Sequence, residues 1–226
     1  MIELKIVKRT DERYVQIRDR HYIPNRGCHG QQLHYLVYDD GDLAGIISGA
    51  SAVYGCAPRD TFFALSKERK IKQAQLNQII NNVVFRLEKT RPNLASMVLA
   101  RWRRQISEDW KYLYQVDVVG FETFVIEERR EGMSDRLGTL YLADNWTAVG
   151  MTKGNTKAHE TTSGSGGMNA KHTRRETVPK IILCKRNKNV KFIDTYTSSW
   201  KDKDKSKELA QRRRHLFAGS HNRELF

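Results

Sequence analysis

Acidic residues are scarce in this chain relative to basic ones, cysteine and proline are few, and no long apolar run occurs. The three cysteines, Cys28, Cys56 and Cys184, stand far apart and include no Cys-x-x-Cys pair. This excludes a disulfide framework and a cysteine-ligated zinc site. No stretch approaches the roughly 20 apolar residues that a membrane-spanning helix needs, and the N-terminal MIELKIVKRTDERY has no apolar core of signal-peptide length. These absences predict a cytoplasmic protein with no membrane span, in which the Asn145-Trp146-Thr147 sequon has no glycosylation role. Against 26 acidic residues stand 40 lysines and arginines, giving a formal net charge of +14. A field of that sign draws in phosphate backbones. It fits a nucleic-acid partner, with DNA the expected one, and also a merely soluble or ribosome-like basic protein.

At 226 residues with 39% hydrophobic content, the chain suits one core with appendages. Ile2–Val7 alternates as a strand, and Asp11–Arg20 reads as a polar helix. Leu33–Tyr38 and Leu43–Ser48 flank Asp39-Asp40-Gly41-Asp42, a hairpin signal. Arg59–Leu65 reads as a further strand. Leu76, Ile79, Ile80, Val83, Val84 and Leu87 recur at helix spacing. After the Pro92-Asn93 break, Leu94, Val98, Trp102, Ile106 and Trp110 mark a second helix. Val116–Ile126 returns to strand, Leu137–Asn145 is a short helix and Thr147–Thr152 a strand. Asn155–Ala170, rich in Gly, Ser and Thr, reads as a long loop. Lys180–Cys184 and Val190–Phe192 suggest a small basic hairpin, and the Lys/Arg-rich tail from Ser198 an accessory helix or a disordered arm. The expected organisation is an α+β domain over residues 1–157 with one central sheet, followed by a loop, hairpin and basic tail over 158–226. This element order resembles that of the GNAT acyltransferase fold.

Several residues invite chemistry. His21, His29 and His34 cluster in sequence, but not at the i, i+4 spacing of a helical zinc site, and no metal is expected. His21 suits hydrogen bonding or general-base work. Asn81 and Asn82 interrupt an apolar pattern; amides there need partners, or can grip adenine. Arg86, four residues on, is expected on the same helix face as Asn82, where the pair suits a phosphate or carboxylate. Glu122 lies inside Phe121–Val125; an inward carboxylate has a raised pKa and can act as a base, whereas an outward one is ordinary surface. Tyr141, Asp144, Asn145 and Trp146 gather a phenol, a carboxylate, an amide and an indole at a helix end. Arg101, Arg103 and Arg104 surround the second helix's stripe. The glycine-rich Ser163–Gly167 stretch is no P-loop, lacking the Gly-Lys-Ser/Thr ending.

The segments HYIPNRGC, LHYLVYDDGDLAGIISGAS, RDTFFAL, NNVVFRLE, PNLASMVLARWRRQISEDW, FETFVI and LYLADNWTAVGMTKG resemble, in order, the phage Mom-like adenine-modification proteins. They also resemble the DruA proteins of Druantia anti-phage systems. The likeness covers about residues 20–160. A Mom-like protein implies a GNAT-like transferase that adds a carbamoylmethyl (glycinamide) group to adenine N6 in DNA, shielding phage DNA from restriction. A DruA-like protein implies a defence role. Ile46–Ser51 and Gly154–Lys157 favour the Mom-like side. On that expectation Tyr22, Tyr141 or Trp146 stacks on a flipped base, and Asn82 or Asn145 reads its edge. Asp144 or Glu122 takes the N6 proton, and Arg101, Arg103, Arg104, Lys153, Lys157 and the tail hold phosphates. The junctions Leu65–Arg69 and Arg91–Leu94 lack the glycines of an acyl-CoA pyrophosphate loop, so acetyl-CoA is not the expected donor and none is assigned.

Overall fold

The computed structural model describes residues 1–21, 30–126, 138–153, 160–162, 171–173, 178–194 and 203–219. Its centre is a seven-stranded mixed sheet in the order β1-β2-β3-β4-β5-β9-β6. The strands are β1 (Ile2–Val7), β2 (Gln32–Asp39), β3 (Asp42–Ser51), β4 (Ile79–Leu87), β5 (Gly120–Ile126), β6 (Thr147–Met151) and β9 (Lys180–Arg186). Neighbours run antiparallel except β4 and β5, which are parallel. A separate pair joins β7 (Glu160–Thr162), within the Asn155–Ala170 stretch expected to be loop, to β8 (Lys171–Thr173), just beyond it. The expected α+β class, a mixed sheet flanked by helices, holds.

Local chemistry places the elements. Asp40 and Gly41 both take positive φ, the two-residue turn that closes β2 onto β3. Asp11 caps α1 (Glu12–Arg18), accepting from the amides of Arg13 and Tyr14. The long helix α4 (Leu94–Tyr114) lays its Val98, Trp102, Ile106 and Trp110 stripe, all fully buried, on one sheet face. Gly49 of β3 permits that approach, since a Cβ there would sit 2.4 Å from Ile106 Cδ1. Helices α5 (Thr139–Ala143) and α6 (Lys203–Gly219) join the same face, with Tyr141 and Leu216 in this core. The opposite face carries α1, through Tyr14 and Ile17, and α2 (Ala57–Phe63), through Phe63. Helix α3 (Arg69–Leu76) leads into β4.

Three expectations are corrected. Residues 79–87 form a strand, not a helix. β4 is buried on both faces, and a bulge opposite Ser48 and Gly49 shifts its alternation by one residue. The two effects together give apolar residues a helix-like spacing, while the β-branched Ile79, Ile80, Val83 and Val84 favour the strand. Arg59–Leu65 is not a strand: Pro58 opens α2, which ends at Ala64 in the left-handed conformation. Lys180–Cys184 does not form a hairpin with Val190–Phe192; it belongs to β9, between β5 and β6. The sheet therefore draws strands from both sides of residue 157. The tail folds in part, as α6.

Candidate functional site

The parallel β4–β5 pair is the architectural centre of the sequence-predicted residues. Its pairing runs from Ile79↔Gly120 to Asn82↔Thr123 and stops there, although both strands continue. At that fork Thr123 Oγ1 donates to the Asn82 carbonyl at 3.0 Å. The Asn82 amide donates to the carbonyls of Ser48 and Val84, at 2.9 and 3.3 Å. Its Oδ1 accepts from the Tyr141 hydroxyl at 2.7 Å. A bulge leaves carbonyls out of ladder register, and Asn82 occupies them with its own side chain.

Tyr141 in turn packs edge-on against Trp146, ring centroids 5.0 Å apart. Trp146 Nε1 donates to Asp144 Oδ2 at 2.8 Å. Arg103 of α4 grips the same carboxylate with two bonds of 2.7 Å. Lys185 of β9 donates to the Asp144 backbone carbonyl, and its ammonium lies 3.9 Å from Oδ2. Burial and the neighbouring Arg103 charge lower the Lys185 pKa, with Asp144 opposing them. Thus Asn82, Tyr141, Trp146, Asp144 and Arg103 come together, and the polar run from Tyr141 to Trp146 is one connected network. Asn145 is exposed, in the left-handed conformation that turns the chain from α5 into β6. Tyr141→Phe removes the donor to Asn82 Oδ1 and is expected to cost about 1–2 kcal/mol. Asn82→Leu should cost less in that background than alone, as a double-mutant cycle of denaturation free energies would show. Strict additivity would mean that the bond contributes nothing.

Glu122 faces the other way. It is fully buried beneath α2, where Arg59 Nη1 donates to its Oε2 at 2.6 Å and the Val53 amide to its Oε1 at 3.1 Å. Arg59, equally buried, also donates to Asp60 at 2.7 Å and to the Val53 carbonyl, and Lys72 pairs with Asp60. Burial pushes the Glu122 carboxyl up to about 7, against the pull of Arg59 and the Val53 amide. Asn81, its register partner on β4, is buried, and its Oδ1 has no hydrogen-bond partner among the described residues.

The remaining candidates scatter. The bulge sets Arg86 apart from Asn82, correcting the shared face expected for them. Arg86 donates to the Arg20 carbonyl and pairs with Glu88, which brings it near His21, just past α1. Arg101 and Arg104 are exposed on α4, and Lys153 is exposed after β6. Tyr22, His29, Lys157 and the Ser163–Gly167 stretch lie outside the described residues. No group of three or more His, Cys, Asp or Glu side chains suited to a metal occurs among the described residues.

Two features escaped sequence reading. Arg59 was masked by the strand assignment, although Pro58 signals a helix start. The Tyr14, His34 and Ser48 side chains meet under α1: Ser48 Oγ lies 2.8 Å from Tyr14 Oη and 3.0 Å from His34 Nδ1. No spacing in the sequence links these three.

Residues 1–191 match the family model described as Druantia protein DruA. No match was found among curated proteins. No helix among the described residues is long and apolar enough to cross a membrane.

Proposed function

The chain belongs to the DruA family, and from that premise we propose that it is a DNA-binding protein of anti-phage defence. The observation that supports this reading is the placement of α6. It packs along α4, with Leu216 in the core and lining, with Arg101, Glu3 and Asp109, a shared hollow. The exposed cations of both helices, Arg101 and Arg104 on α4 and Arg213 and Arg214 on α6, therefore decorate neighbouring surface. In a chain of net charge +14, such a surface binds phosphates with little regard to sequence.

A second reading, the Mom-type transferase acting on adenine N6, draws on one observation. The strand order, with one parallel pair that parts at Asn82 and Thr123 beside Tyr141, is consistent with a GNAT-like sheet. Against it stand the two expected proton acceptors. Asp144 already accepts from Arg103 and Trp146, and Glu122 is sealed under α2. An adenine N6 proton reaches neither without rearrangement.

Two measurements decide. Purified protein should bind duplex DNA with an affinity that falls steeply with salt, and Arg101→Glu with Arg104→Glu should lower both affinity and salt slope. Nucleoside mass spectrometry of DNA from an expressing bacterial host should show unmodified deoxyadenosine. A shifted deoxyadenosine peak that disappears in Asp144→Asn would establish the transferase instead. Absence of any salt-dependent DNA binding would overturn the DNA-binding reading.

A further inference from the structure

β1 ends at Val7, and the chain runs through Lys8 and Arg9 before Asp11 caps α1. Beside it β2 begins, with His34 the register partner of Val7. Above both lies the C-terminal part of α6. Between these elements opens a cleft of about 680 Å³. Its cations are Lys8, Arg9, Arg213 and Arg214, and no carboxylate lines it among the described residues. Lys8, Arg9 and Arg214 make no ion pair among the described residues, and Arg213 Nη2 reaches only the Tyr114 hydroxyl, at 3.5 Å. Its apolar lining comes from Val7, Leu33, Leu113 and Phe217.

Four cations held around this cleft repel one another, and beside the buried Val7, Leu33 and Leu113 the half-buried Phe217 is the more accessible part of its apolar lining. A ligand that relieves that repulsion carries closely spaced negative charges, and a flat apolar face on it matches the Phe217 ring. A nucleic-acid strand has both, and positively charged grooves with aromatic or apolar platforms are how unpaired strands are held. A duplex keeps its bases stacked inside and offers the Phe217 ring only phosphates. The volume falls in the range of small-ligand sites, about 300–1,000 Å³, enough for one or two unpaired nucleotides. His34 also lines the cleft. With Nδ1 engaged by Ser48, its other ring nitrogen is the one left to meet a base or phosphate.

We propose that this cleft binds an unpaired stretch of a DNA strand, its phosphates on Lys8, Arg9, Arg213 and Arg214 and a base against Phe217. The proposal rests on the DNA-binding reading and places single-strand contact on the α6–β1 side, away from Arg103 and Asp144.

Fluorescence anisotropy with the full chain tests it. The probes are a labelled mixed-sequence DNA single strand, the same sequence closed as a hairpin duplex, an abasic strand of equal length, and the RNA counterpart. Arg9→Glu with Arg214→Glu should weaken single-strand binding about tenfold or more and flatten its salt dependence. The abasic strand should bind more weakly than the intact one. Arg101→Glu with Arg104→Glu should affect the single strand less. Melting curves confirm that both variants fold, as exposed residues allow. If the Arg9 and Arg214 variant binds the strand like wild type while the Arg101 and Arg104 variant loses DNA, the cleft is not the site and the DNA-binding reading survives. If wild type binds no DNA, both fail. Tighter binding of the hairpin, or equal binding of the abasic strand, overturns the unpaired base, and tighter binding of RNA overturns the choice of DNA.

Discussion

Arg59→Met is expected to destabilise the protein above neutral pH, by up to about 3–5 kcal/mol, the range for breaking a buried ion pair by removing one partner. Both partners are fully buried. Every arm of the guanidinium is engaged: Nε with Asp60, Nη1 with Glu122 and Nη2 with the Val53 carbonyl. Methionine of similar length fills much of the space but leaves Glu122 without its counter-charge. The loss should depend on pH, with a definite sign. Burial already raises the Glu122 carboxyl from 4.5 to about 7. Between those values the folded protein holds a proton that the unfolded chain has released. This group's contribution is therefore intact below about 4.5 and declines as pH rises towards 7. Without Arg59 the carboxyl rises further, so the variant should approach wild-type stability in acid and fall away from it above neutrality. Arg59→Met with Glu122→Leu should recover most of the loss, because an apolar pair of similar size can replace a buried ion pair. Urea denaturation at pH 5 and pH 8 measures all of this. A single variant as stable as wild type at pH 8 would show that the pair contributes nothing.

The second large effect comes from His34 and has the opposite sign. Burial, with help from the Arg9 and Arg18 charges, lowers its pKa from 6.5 to about 4. The unfolded chain takes up a proton as pH falls through 6.5, while the folded protein resists until about 4. Stability from this group is complete above 6.5 and is lost across that window, by about 3 kcal/mol in all. The hydrogen bonds agree with a neutral ring. Tyr14 donating to Ser48, and Ser48 to His34 Nδ1, gives each of the three side chains a partner; protonating Nδ1 would remove the acceptor. Glu122 shifts stability the other way over an overlapping range, so wild type alone shows only the difference. The clean observable is wild type minus His34→Gln, followed from pH 7 to pH 4. It should fall with acidification, and a flat difference would exclude His34 as the titrating group.

These two groups illustrate what was legible in the sequence. The sequence places a carboxylate inside Phe121–Val125 without saying whether it faces inward or outward, and the structure turns it inward. Its partner was hidden, because the Arg59 segment reads as a strand until Pro58 is weighed. In the sequence His34 is only one of three nearby histidines. Its actual partners come from α1 and β3, which nothing local connects. The Tyr141–Trp146 run reads from the sequence as a concentration of polar and aromatic groups. That it closes on Asn82 and Arg103 required knowing that residues 79–87 form a strand beside α5 and α4.

The sequence by itself determined the quantities that depend on composition and short-range pattern: the basic charge, the hairpin turn at Asp40 and Gly41, the amphipathic α4 and the α+β class. These follow from neighbours in the chain and from side-chain chemistry. Tertiary structure alone decided the rest. It put β9 between β5 and β6, made β4 a doubly buried strand whose bulge imitates a helical period, and turned Glu122 and Asp144 to opposite sheet faces. It also docked α6 so that Arg213 and Arg214 meet Lys8 and Arg9 across one cleft. Long-range pairing sets these features, because a strand's face and its neighbours are fixed by its register with distant segments, which local periodicity does not encode.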